Sequence, residues 1–121
     1  MRAIIIALVL LFSAPQPRSI GWIEQNETWV HLYDDYGNRY QTLPSSNVGV
    51  IMGFSSRFFV SRNGSWIYLY NAEGNRYKTL PYSSVGDVLS VTERTFISRN
   101  GSWLIIWSSN GDKIDWRAVH T

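Results

Sequence analysis

Trp29, Trp66 and Trp103 stand 37 residues apart at each step, and the segments that follow them are copies of one another. Aligning Trp29–Ser65 with Trp66–Ser102 leaves 20 of 37 positions identical, among them Gly37/Gly74, Tyr40/Tyr77, Pro44/Pro81, Phe59/Phe96 and Arg62/Arg99. Repetition at this period implies one supersecondary unit per copy, each needing its neighbours to bury its faces. A chain of 121 residues accommodates three such units as a single domain.

Turn residues divide a unit into four short strands. "VGDVLSV" from Val85, "TFISR" from Thr95, "WIYLY" from Trp66 and "RYKTL" from Arg76 are the first to fourth in order. Asn63-Gly64 and Asn100-Gly101 suit a two-residue type I′ turn, which puts positive φ on both residues of the pair. Gly74 and Gly111 supply the left-handed residue of a longer loop between the third and fourth strands. Each unit is therefore expected to be an antiparallel four-stranded meander, with units at about 19–47, 48–84 and 85–121. The first is incomplete, because its opening strand would fall among residues 11–16.

In the third strands Trp66, Tyr68 and Tyr70 point to one face and Ile67 and Leu69 to the other. Trp29, His31, Tyr33 and Trp103, Ile105, Trp107 repeat this arrangement. Both faces are apolar, so the sheet must be covered on both sides. The order of strands and turns resembles a β-propeller blade, which implies stacked sheets and, with only three of them, a dimer that completes the ring or end faces left for a partner. A β-trefoil, also three four-stranded units, remains the alternative. The opening stretch "GWIEQNETWVHLYDDYG" is similar to the aromatic hairpin repeats of cell-wall-binding proteins. That likeness would make Trp22, Trp29 and Tyr33 walls of a glycan pocket, although those repeats recur at a shorter interval.

Residues 1–18 carry Arg2, an apolar run from Ala3 to Phe12 and then small and polar residues, the pattern of a secretory signal. The run is too short to span a bilayer comfortably, and its Ile-Ile-Ile core also suits a first strand. The mature chain from residue 19 is thus expected to be secreted or periplasmic, with no membrane span. With no cysteine, stability must come from aromatic packing without disulfides, and thiol chemistry is excluded. Formal charge is only +2, with acids and bases interspersed, which argues against nucleic acid as a partner.

No catalytic constellation is legible. Asp34 and Asp35 share one loop, Asp112 and Asp115 lie at the last turn, and no serine sits in a nucleophile elbow. The two histidines, His31 and His120, do not make a metal site with anything nearby in sequence, and no cofactor or metal is called for. The expectation is a non-enzymatic module that binds a carbohydrate, or alternatively a protein-interaction or self-assembling scaffold. The candidate ligand residues are the exposed aromatics and the polar turns: Trp29, Tyr33, Arg62, Asn63, Trp66, Tyr70, Arg99, Asn100 and Trp103. A guanidinium and an amide at a tight turn can grip a sugar hydroxyl or carboxylate; the same two residues can equally shape the turn and cover an aromatic ring.

Overall fold

The computed structural model describes residues 18–119. Of the proposed signal segment only Arg18 lies inside that range, with its guanidinium 5.0 Å from the centre of the Tyr40 ring; His120 lies outside it. The described chain is all-β, in three antiparallel sheets. The first contains β1 (Trp22–Gln25), β2 (Trp29–Tyr33) and β3 (Arg39–Pro44). A single helical turn, α1 (Ser45–Val48), leads to β4 (Val50–Phe54), β5 (Phe58–Asn63), β6 (Trp66–Asn71) and β7 (Arg76–Pro81). A second turn, α2 (Tyr82–Val85), leads to β8 (Asp87–Val91), β9 (Thr95–Asn100), β10 (Trp103–Ser108) and β11 (Lys113–Ala118). Strand order follows chain order within each sheet, and all the strand pairing among the described residues stays inside one unit. The units are therefore propeller-like blades rather than the hairpins of a trefoil.

The sheets stack because both faces are apolar. Val30, Leu32 and Ile23 of the first sheet pack against Phe59, Tyr70 and Ala72 of the second. On its other side the second sheet lays Val60, Ile67 and Leu69 against Phe96, Ile105 and Trp107 of the third. Each fully buried side chain of this size contributes about 1.5–3 kcal/mol. Stacked rings stiffen the layers: Phe59 lies on Tyr70 with centroids 4.7 Å apart, and Phe96 on Trp107 at 5.8 Å. The innermost strands, β4 and β8, run side by side. Gly53 permits this, since a Cβ there would stand 2.7 Å from Val91 Cγ2.

A bulge in each of the first two sheets links it to the next. Leu32 pairs with Gln41 and Tyr33 with Arg39, so Tyr40 is the extra residue of β3. Tyr77 holds the same place in β7. A bulge re-aims the side chain of its extra residue. Here both phenols reach the following sheet: Tyr40 donates to the Ala72 carbonyl at 2.6 Å, and Tyr77 donates to the Ser109 carbonyl. Burial pushes the pKa of both phenols up to about 12, with Glu73 adding to the effect at Tyr40.

The type I′ expectation for the tight turns is corrected. Asn63 pairs with Trp66, so the two-residue loop is Gly64-Ser65, and Gly64 alone has positive φ, at 61°. This is the type II′ arrangement, with glycine at the first central position. Asn63 is thereby left free to brace the preceding linker. Its side-chain amide donates to the carbonyls of Ser46 and Asn47, at 3.0 and 3.3 Å, and so holds α1. Asn100 does the same for α2 through Ser83 and Ser84. Asn26, which opens the corresponding turn of the first sheet, instead accepts from the backbone N–H groups of Thr28 and Trp29.

Three stability outcomes follow from this packing. Gly86 closes α2 with φ +81°, and a Cβ there would overlap the Arg99 carbonyl. Gly86→Ala should cost at least about 3 kcal/mol in urea unfolding. Ser98 and Ser61 are both fully buried, but Ser98 accepts the Trp107 indole N–H at 2.9 Å, whereas Ser61 Oγ has no partner because Tyr70 stands where the indole would be. Ser98→Ala should therefore cost about 1–2 kcal/mol while Ser61→Ala is neutral or stabilising. Folding raises the two bulge phenols above their ordinary value, so their stabilisation is complete below about pH 10 and is lost as pH rises through about 12. In alkaline unfolding curves the Tyr40→Phe/Tyr77→Phe variant should lose less stability across that window than the parent.

Candidate functional site

The strands and turns place the predicted residues in two groups. Trp29, Trp66 and Trp103 open the equivalent strands β2, β6 and β10, next to the tight turn, and remain 44%, 48% and 47% exposed. Tyr33 is half-buried and donates to Glu24 Oε1 at 3.1 Å. Tyr70 is buried in the stack on Phe59, and burial raises its pKa.

The polar turn residues are committed inside the protein. Arg62 donates through Nε to the Gly64 carbonyl at 3.1 Å, and its guanidinium lies 3.5 Å from the centre of the Tyr82 ring. It also faces Asp87 at 3.8 Å, the first residue of the next sheet, to which Tyr82 donates its phenolic proton. That hydrogen bond to a carboxylate is the main reason the Tyr82 pKa is raised. Arg99 makes the matching bond to the Gly101 carbonyl. These side chains brace turns and the passage between sheets; the loops themselves do not form an open grip.

A different set of residues converges at the linker turns. Beside the first linker turn, Ser46 and Asn47 of α1 and Asn63, Tyr68, Tyr70 and Arg76 of the second sheet line a groove of about 460 Å³. Beside the second linker turn, Ser84 of α2 and Asn100, Trp103, Ile105, Lys113 and Trp116 of the third sheet line one of about 470 Å³. Asn47/Ser84, Asn63/Asn100, Tyr68/Ile105 and Arg76/Lys113 are equivalent positions 37 residues apart, so the groove is itself repeated. Each contains a cation held over a ring: the Arg76 guanidinium lies 4.2 Å from the centre of Tyr68, and Lys113 Nζ lies 5.2 Å from Trp116. Among the described residues neither lining includes a carboxylate. A flat ring, an amide and a cation in one cleft can stack on an apolar sugar face and pair with its hydroxyl or acidic groups.

Of the predicted residues, Asn63, Tyr70, Asn100 and Trp103 reach these grooves. Ser46, Asn47, Tyr68, Arg76, Ser84, Ile105, Lys113 and Trp116 complete them and lie outside the candidate set. The signal was present in the alternation of β6 and β10 and in the repeated cation before the bulge, Arg39, Arg76 and Lys113. The corresponding positions in the first sheet, Trp29, His31, Tyr33 and Arg39, lie on a face that no described sheet covers.

Asp34 accepts from the N–H groups of Tyr36 and Asn38, both at 2.9 Å, within its own turn, and Asp115 pairs with Arg117 at 3.6 Å. His31 shares a hydrogen bond with Thr42 Oγ1 at 2.9 Å. Among the described residues no cluster of three or more His, Asp or Glu is placed to hold a metal ion, and no helix is long and apolar enough to cross a membrane.

No protein family and no curated protein matches this sequence. Solved structures do match the fold. Hsv2 of Kluyveromyces lactis, a β-propeller, superposes with a TM-score of 0.54 at 13% identity, covering 79% of this chain and 32% of its own. The form with loop 6CD replaced by a Gly-Ser linker gives 0.55 over 35% of its length, and the form with complete loop 6CD gives 0.53 over 32%, both again at 13% identity. The chain spans about a third of the length of these structures, and at this identity the likeness establishes the arrangement of blades alone.

Proposed function

We propose that this chain is a secreted or periplasmic module without enzymatic activity that binds a cell-surface glycan in the grooves beside its linker turns. The observation that carries the reading is the repetition of the groove, with an aromatic-stacked cation and an amide in equivalent places and, among the described residues, no acid in either lining. A propeller-like stack of blades fits a ligand-binding or interaction module, and repeated sites suit a polymer, because two weak contacts on one chain reinforce each other. The cations favour a glycan bearing carboxylate or sulfate over a neutral one.

Retention on immobilised polysaccharides, acidic and neutral, tests this directly. Arg76→Ala and Lys113→Ala should each weaken retention about tenfold, the loss of one charge-assisted hydrogen bond. Trp103→Ala should weaken it comparably. No retention of the parent by any polysaccharide in the panel, with circular dichroism showing a folded protein, would sink the glycan reading.

A further inference from the structure

The two internal interfaces share one pattern, and the outer sheets present the two halves of a third. The uncovered side of the third sheet carries Leu89, Ile97, Leu104, Ile106 and Ile114, the counterparts of Met52, Val60, Ile67, Leu69 and Tyr77, which face the next sheet inside the protein. Leu89 and Ile114 are the extra residues of bulges, as Met52 and Tyr77 are, and stand 56% and 54% exposed. The side of the first sheet that no described sheet covers carries Trp29, His31 and Tyr33, the counterparts of Trp66, Tyr68 and Tyr70, and Trp22, the counterpart of Phe59, whose ring also meets Phe54 of the second sheet edge-on at 6.1 Å. Trp22 is 60% exposed where Phe59 and Phe96 are fully buried.

The departures from the repeat at these two sides complement one another. Internally, the side chain of Gln41 covers Gly74 and that of Lys78 covers Gly111, while nothing lies within 4 Å of a Cβ built on the equivalent Gly37. The residue equivalent to Gln41 and Lys78 on the uncovered side is Asp115. Ser90 replaces the Gly53 that β8 requires opposite Val91, and the described first sheet has no fourth strand for Ser90 to strike. Arg117 stands where the other units have Leu43 and Leu80 and is paired with Asp115 on its own sheet, and Glu24 stands where they have Ser61 and Ser98 and accepts from Tyr33, so the polar replacements on both sides are already partnered.

We propose that a second copy of this chain continues the stack, the third sheet of each copy docking on the first sheet of the other. Made twice, this head-to-tail contact closes a two-fold ring of six sheets and leaves no end exposed. A copy of the chain is the occupant because the contact extends an interface already formed twice, in the same 37-residue register.

Sedimentation velocity and a register-specific cross-link test this without any glycan. The full chain, as recovered after expression, should sediment at twice the mass of one chain, and Leu89→Glu/Ile114→Glu should shift it to the single-chain mass with unchanged circular dichroism. Because the chain has no cysteine, cysteines placed at Tyr36, beside Gly37, and at Asp115 should be joined between copies by a short bismaleimide, while Tyr36→Cys with Arg94→Cys should not. A monomer throughout the accessible concentration range overturns the proposal, whether residues 1–17 or another protein covers the faces. So does a dimer that survives the double glutamate variant, or open-ended polymers in place of a closed pair.

Discussion

A sheet of four short strands with apolar side chains on both faces has no stable position except between two other surfaces of the same kind. That constraint decides nearly everything else in this protein. It explains why the unit is repeated, because a copy of the sheet is the surface that fits it best. It explains why the linkers are single helical turns fixed by an asparagine from the next tight turn. Each linker must bring the chain from the outer edge of one sheet to the inner edge of the next without spoiling the face-to-face contact. The glycines at Gly49 and Gly86 serve the same end, with φ of +85° and +81° and no room for a side chain beneath the following arginine's carbonyl.

Stacking alone would leave the outer strands free to slide, and the bulges prevent this. Tyr40 and Tyr77 are displaced from the ladder, so their hydroxyls meet a carbonyl of the next sheet rather than a neighbour in their own. At the inner edge Gly53 lets β4 approach β8, and at the loops Glu93 accepts both the N–H and the hydroxyl of Ser56, which lowers its pKa. Sheets thus register on each other at the inner strand, the outer strand and the loop.

Much of this was legible in the sequence. The 37-residue period set the number of units, and the two-sided alternation in "WIYLY" required stacking and led to the blade. The type of tight turn was not legible, since Asn-Gly serves type I′ and Gly-Ser serves type II′ within the same four letters. Only the register, Asn63 opposite Trp66, decides between them. The grooves were missed for a related reason. Their walls come from a third strand, a fourth strand and a linker turn of the preceding unit, and no local window joins Asn47 to Arg76. Arg62 and Asn63 drew notice because they recur together, but recurrence marked the joint between units, where every copy must meet the same mechanical demand.

Comparison of the copies separates mechanical positions from those that face a cleft. Asn63/Asn100 and Gly64/Gly101 are unchanged between the second and third units, where the amide braces a linker and the glycine takes the positive φ of the turn, whereas the first unit has Asn26 and Glu27 there. Along the grooves the cation is kept in kind but not in identity, Arg76 against Lys113, and the wall changes from Tyr68 to Ile105, with Trp116 supplying the ring from a different strand. Both solutions place a positive group over an aromatic face, reached through different residues. Packing does not demand this, because a cation on a half-open outer strand gains little stability from its ring. Keeping the pair while exchanging its members is what a requirement on the cleft's contents would produce, and it is the reason the grooves, rather than the turns, carry the functional reading.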